Sequence, residues 1–267
     1  MGRLTFLSLT LAAASVASAY ADNSRVSVDT RGDSPRRVTV TAVTENIIRV
    51  TNTPVGVETP RSRTLLPLTE KVSAHIFNAP GAEVLTTDGG IVVSVDKVDG
   101  AVTIAAPNGV VIADSGVRQA VGGKERMTLT TPGNESFYGA GERGYSLNLA
   151  ADTLVMFNRQ NYGYTAGEER IKQMNITMPL LISSKGYALV FDDYAAATLT
   201  TSNPLTYTTE AGKPVDYYFI SGITGDDRQA RIDNVLSRLT TLTGRQELPP
   251  LWSRGYITSK YGYRTAA

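Results

Sequence analysis

Short β-branched and apolar runs, cut at near-regular intervals by glycine-bearing turns, fill this chain from about residue 25 to 220. Segments 37–43 and 46–52 are rich in Val, Ile and Thr, residues whose branched side chains suit a pleated surface. Runs 90–95, 101–105 and 110–113 are separated by Asp99-Gly100 and Pro107-Asn108-Gly109, both turn signals, which predicts a meander. Runs 176–183 and 187–192 flank Ser184-Lys185-Gly186, a hairpin signal in which Gly supplies the positive φ. Runs 198–201, 205–209 and 215–220 continue the series. About ten strands at this spacing predict a β-sandwich rather than alternating βα units.

The pattern then changes once. Ile232, Val235, Leu236, Leu239 and Leu242 recur at three- and four-residue spacing, which predicts an amphipathic helix over 226–242. Thr224 or Asp226 can cap its start, Gly244 can end it, and Pro249-Pro250 blocks continuation. Residues 251–258 read as the first strand of a new unit, with too few residues after Pro250 to complete one.

Composition removes several function classes. Lys+Arg total 26 against Asp+Glu 25, for a net charge of +1, which leaves no electrostatic case for nucleic acid, a partner that wants a basic face or stripe. There is no Cys and one His, which excludes disulfides, thiol nucleophiles, Cys-ligated zinc and paired-His metal motifs. No metal and no cofactor is expected, and catalysis would have to rest on carboxylates, Tyr, Lys or Arg. Residues 1–21 read as a secretory signal: Arg3 as the positive start, an apolar stretch over 4–16, then Ala17-Ser18-Ala19 and Ala19-Tyr20-Ala21 as overlapping small-x-small cleavage sites. That predicts a secreted or periplasmic protein with no membrane-spanning segment in its mature part. Asn134-Glu135-Ser136 and Asn175-Ile176-Thr177 are formal glycosylation sequons, relevant in a eukaryotic host.

Four places have the residues for chemistry. In 137–144, Gly139 and Gly141 bracket Ala140 and predict a tight backbone approach. Glu142 there reads as a buried carboxylate satisfied by backbone N–H groups rather than as a catalytic acid. In 157–164, Phe157, Asn158, Arg159, Gln160, Asn161, Tyr162 and Tyr164 mix aromatic, amide and guanidinium groups. Sugars are bound in this way, with rings against C–H faces and amides on hydroxyls; a surface loop with edge tyrosines is the other reading. The polar run 165–172 extends it as a long exposed loop. His75 reads as a structural or surface residue. Asp192-Asp193 reads as a strand end turning into solvent, because neighbouring residues point to opposite faces of a strand.

Together these segments resemble glycoside hydrolase family 31, the retaining α-glucosidases, α-xylosidases and α-transglucosylases. Phe-Tyr-Gly-Ala-Gly-Glu-Arg at 137–143 resembles the family's F-Y-G-x-G-E signature, and Phe157-Asn158-Arg159 the aromatic–Asn start of its substrate-facing loop. Met178-Pro179-Leu180 followed by Gly186-Tyr187-Ala188-Leu189-Val190-Phe191 resembles its hairpin. Residues 242–256 resemble its L-T-G-x-x-x-L-P-P-x-W-x-x-G motif, with Tyr261-Gly262-Tyr263 following.

The resemblance implies a mainly β fold: a galactose-mutarotase-like β-sandwich over 22–225, a linker helix over 226–248, and from 249 to 267 the start of a truncated (β/α)8 catalytic barrel. Both catalytic Asp residues would lie deeper in that barrel, so no catalytic residue is assigned here. The chain alone would then be inactive, because the retaining reaction needs both carboxylates. The implied substrate-binding residues are Asn158, Gln160, Tyr162, Tyr164 and Tyr261, and the implied partner is an α-linked oligosaccharide or glucan. Gln160 stands where the family has an Asp, which leaves the glycone open, as it leaves hydrolysis versus transfer. Tyr162-Gly163-Tyr164 resembles the bacterial α-glucan transglucosylase branch. Trp252 and Tyr256 match strand residues that read as packing. A stand-alone carbohydrate-binding or interaction sandwich is the alternative.

Overall fold

The computed structural model describes residues 24–58, 61–67, 72–161, 163, 165, 167–211, 214–223 and 231–257. In chain order the strands are β1 (Arg25–Asp29), β2 (Arg36–Thr44), β3 (Ile47–Pro54), β4 (Ala74–Ala79), β5 (Ala82–Thr87), β6 (Val92–Asp96), β7 (Val102–Ala105), β8 (Val111–Asp114) and β9 (Gln119–Val121). They continue as β10 (Lys124–Thr130), β11 (Phe137–Gly139), β12 (Thr153–Met156), β13 (Leu180–Ser183), β14 (Tyr187–Asp192), β15 (Ala197–Thr200), β16 (Leu205–Thr209) and β17 (Asp216–Ser221). Helix α1 (Ile232–Thr243) follows.

The strands form two antiparallel sheets. A seven-stranded sheet has the order β1-β2-β3-β17-β14-β13-β11. A ten-stranded sheet runs β12-β15-β16-β10-β8-β7-β6-β5-β4, with β9 paired to β10. Their inner faces share one core, to which Val38, Val40, Leu85, Ile104, Leu129, Tyr187, Phe219 and Leu199 contribute. Phe191 and Tyr207 stack across this core at 4.3 Å between ring centroids, joining the two sheets. Each such large apolar side chain taken from water is worth about 1.5–3 kcal/mol.

Burial periodicity shows which strands are covered on both sides. β1 alternates exposed and buried residues, as a strand with one wet face does. β17 is buried at every position and β14 at all but its last. Their inward residues join the inter-sheet core. Their outward ones, Ala188, Val190, Tyr218 and Ile220, form a second cluster with Ile47, Leu65 and the helix residues Val235 and Leu242. Asn234 Nδ2 donates to Gly222 O at 2.9 Å and Arg238 to Ile223 O at 2.7 Å, so the helix is tied to the chain leaving β17.

The β-sandwich, the meander through 90–113, the hairpin at 184–186 and the apolar helix are as the sequence predicts. The expected cap residues Thr224 and Asp226 lie outside the described residues; Gly244, at φ +92°, ends the helix. Three differences stand out. The expected strand from residue 251 is instead a 3-10 turn over Leu251–Arg254, because among the described residues no strand runs beside it to supply a ladder. Trp252 and Tyr256, whose packing partner would be a barrel, are 83% and 94% exposed here. Strand pairing of the run 176–183 begins only at Leu180. On the helix, Val235 and Leu242 are buried while Ile232 and Leu236 stay exposed, because the apolar stripe is wider than the face the sheet covers. Among the described residues no helix is long and apolar enough to cross a membrane.

Candidate functional site

The aromatic and amide run leaves β12 after Met156 and returns to β13 at Leu180, so it is one long excursion from the end of the ten-stranded sheet to the seven-stranded one. Its return limb is held by the 139–144 segment. Ala140 N donates to Leu180 O at 2.8 Å, Glu142 N to Ile176 O at 2.7 Å and Gly144 N to Ile171 O at 2.8 Å. Gly141 sits at φ +88°, and a Cβ there would stand 2.3 Å from Ile176 O. The approach expected around Ala140 is thus the means by which the loop is hung on the sandwich.

Arg143 reinforces the same junction. Its guanidinium donates to Lys172 O at 2.6 Å and to Val155 O at 2.9 Å, bridging the outgoing and returning limbs. Glu142 differs from expectation: it is exposed, although one oxygen accepts the Asn175 N–H at 3.2 Å.

Inside the loop the anchors are two buried amides that the sequence did not single out by role. Asn161 Nδ2 donates to Arg170 O at 2.9 Å and to Gln173 O at 3.0 Å, and its backbone N–H reaches Asn175 Oδ1 at 2.9 Å. Gln173, also buried, donates to Phe157 O. A 3-10 turn over Glu169–Lys172 supplies one of the carbonyls that Asn161 binds, Arg170 O, and Gln173 directly after it supplies the other. Thr165 closes on Glu168 Oε1, and Arg170 reaches Gly163 O at 2.9 Å. Buried amides whose N–H groups bond backbone carbonyls across the loop fix a segment that has no sheet pairing of its own.

The candidate sugar contacts sit around these anchors. Asn158 is exposed, and its Oδ1 accepts both the N–H and the hydroxyl of Thr177, at 2.6 and 2.8 Å. Gln160 is exposed, one position before the buried Asn161. Tyr162, Tyr164 and Tyr261 lie outside the described residues. An open groove of about 460 Å³ adjoins Asn158, with Phe157, Thr177, Pro179, Asp193 and Tyr194 on its walls. A second groove is lined by Arg143, Arg159, Arg170 and Lys172 together with Asp152 and Glu169, so the two carboxylates offset only part of its positive charge. Tyr145, bonded to Asp152, is pushed up to about 12 by burial and by that bond, and stays a neutral phenol at physiological pH.

Asp192 ends β14 and Asp193 follows it, at a strand end as expected, but they do not turn into solvent. Asp193 is buried and accepts the Tyr207 hydroxyl at 3.1 Å, the Thr209 hydroxyl at 2.5 Å and the Ala195 N–H at 3.0 Å. A carboxylate with its lone pairs so occupied is a strut and not a nucleophile. His75 is an exposed residue of β4 facing Asp88 at 3.5 Å. Among the described residues no three His, Asp or Glu side chains gather as a metal ion would need.

A two-sheet antiparallel sandwich with an anchored polar loop at one end and a helix on its outer face has the form of a galactose-mutarotase-like domain. Residues 37–199 match the family model described as the glycosyl hydrolase 31 N-terminal galactose mutarotase-like domain, and the chain belongs to that family. It is 34% identical over 130 residues to an α-xylosidase of Saccharolobus solfataricus, covering 47% of this chain and 17% of that protein. It is 28% identical over 238 residues to α-glucosidase 2 of Bacillus thermoamyloliquefaciens, covering 83% of this chain and 28% of that protein. A solved Flavobacterium johnsoniae family-31 dextranase, complexed with isomaltotriose, superposes with a TM-score of 0.70 at 19% identity, over 83% of this chain and 27% of that one. The chain thus spans between a sixth and a little over a quarter of the length of these relatives.

Proposed function

We propose that this chain is the N-terminal part of a retaining α-glycosidase that hydrolyses or transfers α-glucosidic bonds, and that its sandwich carries one wall of the sugar pocket. The observation that carries this reading is the construction of the loop. Asn161 and Gln173 hold it from inside, while Asn158 and Gln160 face outward from a fixed backbone. Such a loop presents amides in place and loses little entropy on meeting a ligand. Tyr162, Tyr164 and Tyr261 belong to the same proposed set by their positions in the family motifs.

In the same reading residues 1–21 direct export and are removed, which N-terminal sequencing of the mature protein tests. The test of the loop is a chimera joining this sandwich to the barrel of a family relative. Gln160 offers a donor and an acceptor to sugar hydroxyls. Replacing Gln160 with Ala in the chimera lowers kcat/KM by a factor corresponding to about 0.5–1.5 kcal/mol. Unchanged kcat/KM across glucosides, xylosides and maltooligosaccharides would mean that the loop only packs.

A further inference from the structure

We propose that a groove on the outer face of the seven-stranded sheet, beside α1, binds a small organic carboxylate, with its charged end held by Arg25, Thr41 and Arg61 and its apolar body against Leu65, Leu66 and Leu242. The groove encloses about 310 Å³ and shares no lining residue with the two grooves beside the β12–β13 loop. The site is independent of the reading of that loop.

Strand register builds the floor. Arg25 stands opposite Thr41, Thr41 opposite Arg49, and Arg49 opposite Tyr218, so the four form one row across β1, β2, β3 and β17. Residues directly opposite one another share a face of the sheet. With strands about 4.8 Å apart, the two arginines stem from points about 10 Å apart, with the short threonine between them. The Tyr218 end of the row packs with Leu65 and Leu242 in the cluster under α1. The Arg25 end is exposed, and Arg61, also exposed, lines the same groove from the segment before β4.

The charges in the groove are not balanced from within. No Asp or Glu of the described residues lines it. Arg49 is committed elsewhere: its Nε and Nη2 donate to Asp216 Oδ2, the former at 3.0 Å, and its guanidinium lies 5.8 Å from the Tyr218 ring centroid. Asp192 accepts the Ser62 and Tyr194 hydroxyls. Arg25 meets only the Thr41 hydroxyl, at 3.5 Å, and among the described residues neither Arg25 nor Arg61 has an ion-pair partner. A guanidinium in that state presents a fork of N–H donors that matches a carboxylate. The Thr41 hydroxyl accepts from Arg25 and keeps its own hydrogen to donate to the same anion. The facing wall of Leu65, Leu66, Pro67 and Leu242 is hydrocarbon. A bare anion leaves that wall unmet and a neutral apolar molecule leaves the guanidinium groups unmet, whereas a carboxylate on a short apolar body meets both.

NMR titration of the purified chain tests this with three probes: benzoate as the matched ligand, benzamide as its neutral counterpart and inorganic phosphate as charge alone. Benzoate is expected to shift the resonances of Arg25, Thr41 and Leu242 saturably, and more weakly as salt is raised. Benzamide is expected to leave them in place, and phosphate to bind more weakly than benzoate. Arg25→Ala and Arg61→Ala should each weaken benzoate binding about fivefold, as loss of one partly exposed charged donor does. Arg31→Ala, past the other end of β1, should leave it unchanged. No saturable shift with benzoate, phosphate binding as tightly as benzoate, or folded Arg25→Ala and Arg61→Ala variants that bind like the parent would each overturn the proposal. Should either variant unfold, the comparison of benzoate, benzamide and phosphate on the unaltered chain decides.

Discussion

The most consequential single residues here are not the ones that a search for active-site types would select. Asp114 and Arg118 form a bidentate pair at 2.8 Å on both bonds, with side chains 1% and 2% exposed, at the end of β8. A charge pair this deep costs desolvation that only its partner offsets. Asp114→Ala therefore strands the Arg118 guanidinium, and we expect a loss of about 3–5 kcal/mol in urea unfolding. A loss below ~1 kcal/mol would show that water reaches this corner. The pair was not legible in the sequence, where Asp114 and Arg118 look like ordinary turn charges after a short strand. The same holds for Asn161: it was read as one amide in a polar run, and only its enclosure by residues 170–175 separates it from the exposed Gln160 beside it.

At the scale of elements, legibility followed the amount of burial. β14 and β17 are covered on both faces, so their sequences are nearly unbroken apolar runs and read directly as strands. β10, Lys-Glu-Arg-Met-Thr-Leu-Thr, buries only Met127 and Leu129, and its strand character comes from pairing with β8 and β16 rather than from its own residues. β4, at the sheet edge, carries exposed His75, Phe77 and Asn78 and left as little trace. The reverse error came at 251–257, where β-like composition met no partner strand. That segment, the helix and the stretch between them leave Ile232, Leu236, Leu248, Leu251, Trp252, Tyr256 and Ile257 exposed. So much apolar surface at one end promotes self-association. A polypeptide ended at Gly244 should keep the sandwich and aggregate less than residues 22–267 at equal concentration. Equal light scattering from the two would refute this.

At the scale of the molecule, two sheets share one core and hold the loop between β12 and β13, while the carboxylate of the groove beside that loop, Asp193, is locked into that core. We expect purified residues 22–267 to release no p-nitrophenol from α-glucosides or α-xylosides above a buffer blank, because the reaction needs two free carboxylates about 5–5.5 Å apart. Steady release would sink the proposed division of labour. The fold's class was legible because turn spacing and strand count are local properties. Which strand lies beside which was not, and the seven-stranded sheet is the case in point: β17 lies between β3 and β14. On the ribosome the chain emerges in order, so the hairpin of β2 and β3 is made early and waits for its neighbour until β17 (Asp216–Ser221) has been made. Until residue 221 has emerged, β3 and β14 each present an unpaired edge, the form of strand most prone to join the wrong chain. The meander of the other sheet closes on local contacts long before that. Nascent chains halted before residue 216 should therefore be bound by chaperones and cut by proteases, and those halted well past residue 221 should resist both, with the last strand to be made acting as the latch of the whole sandwich.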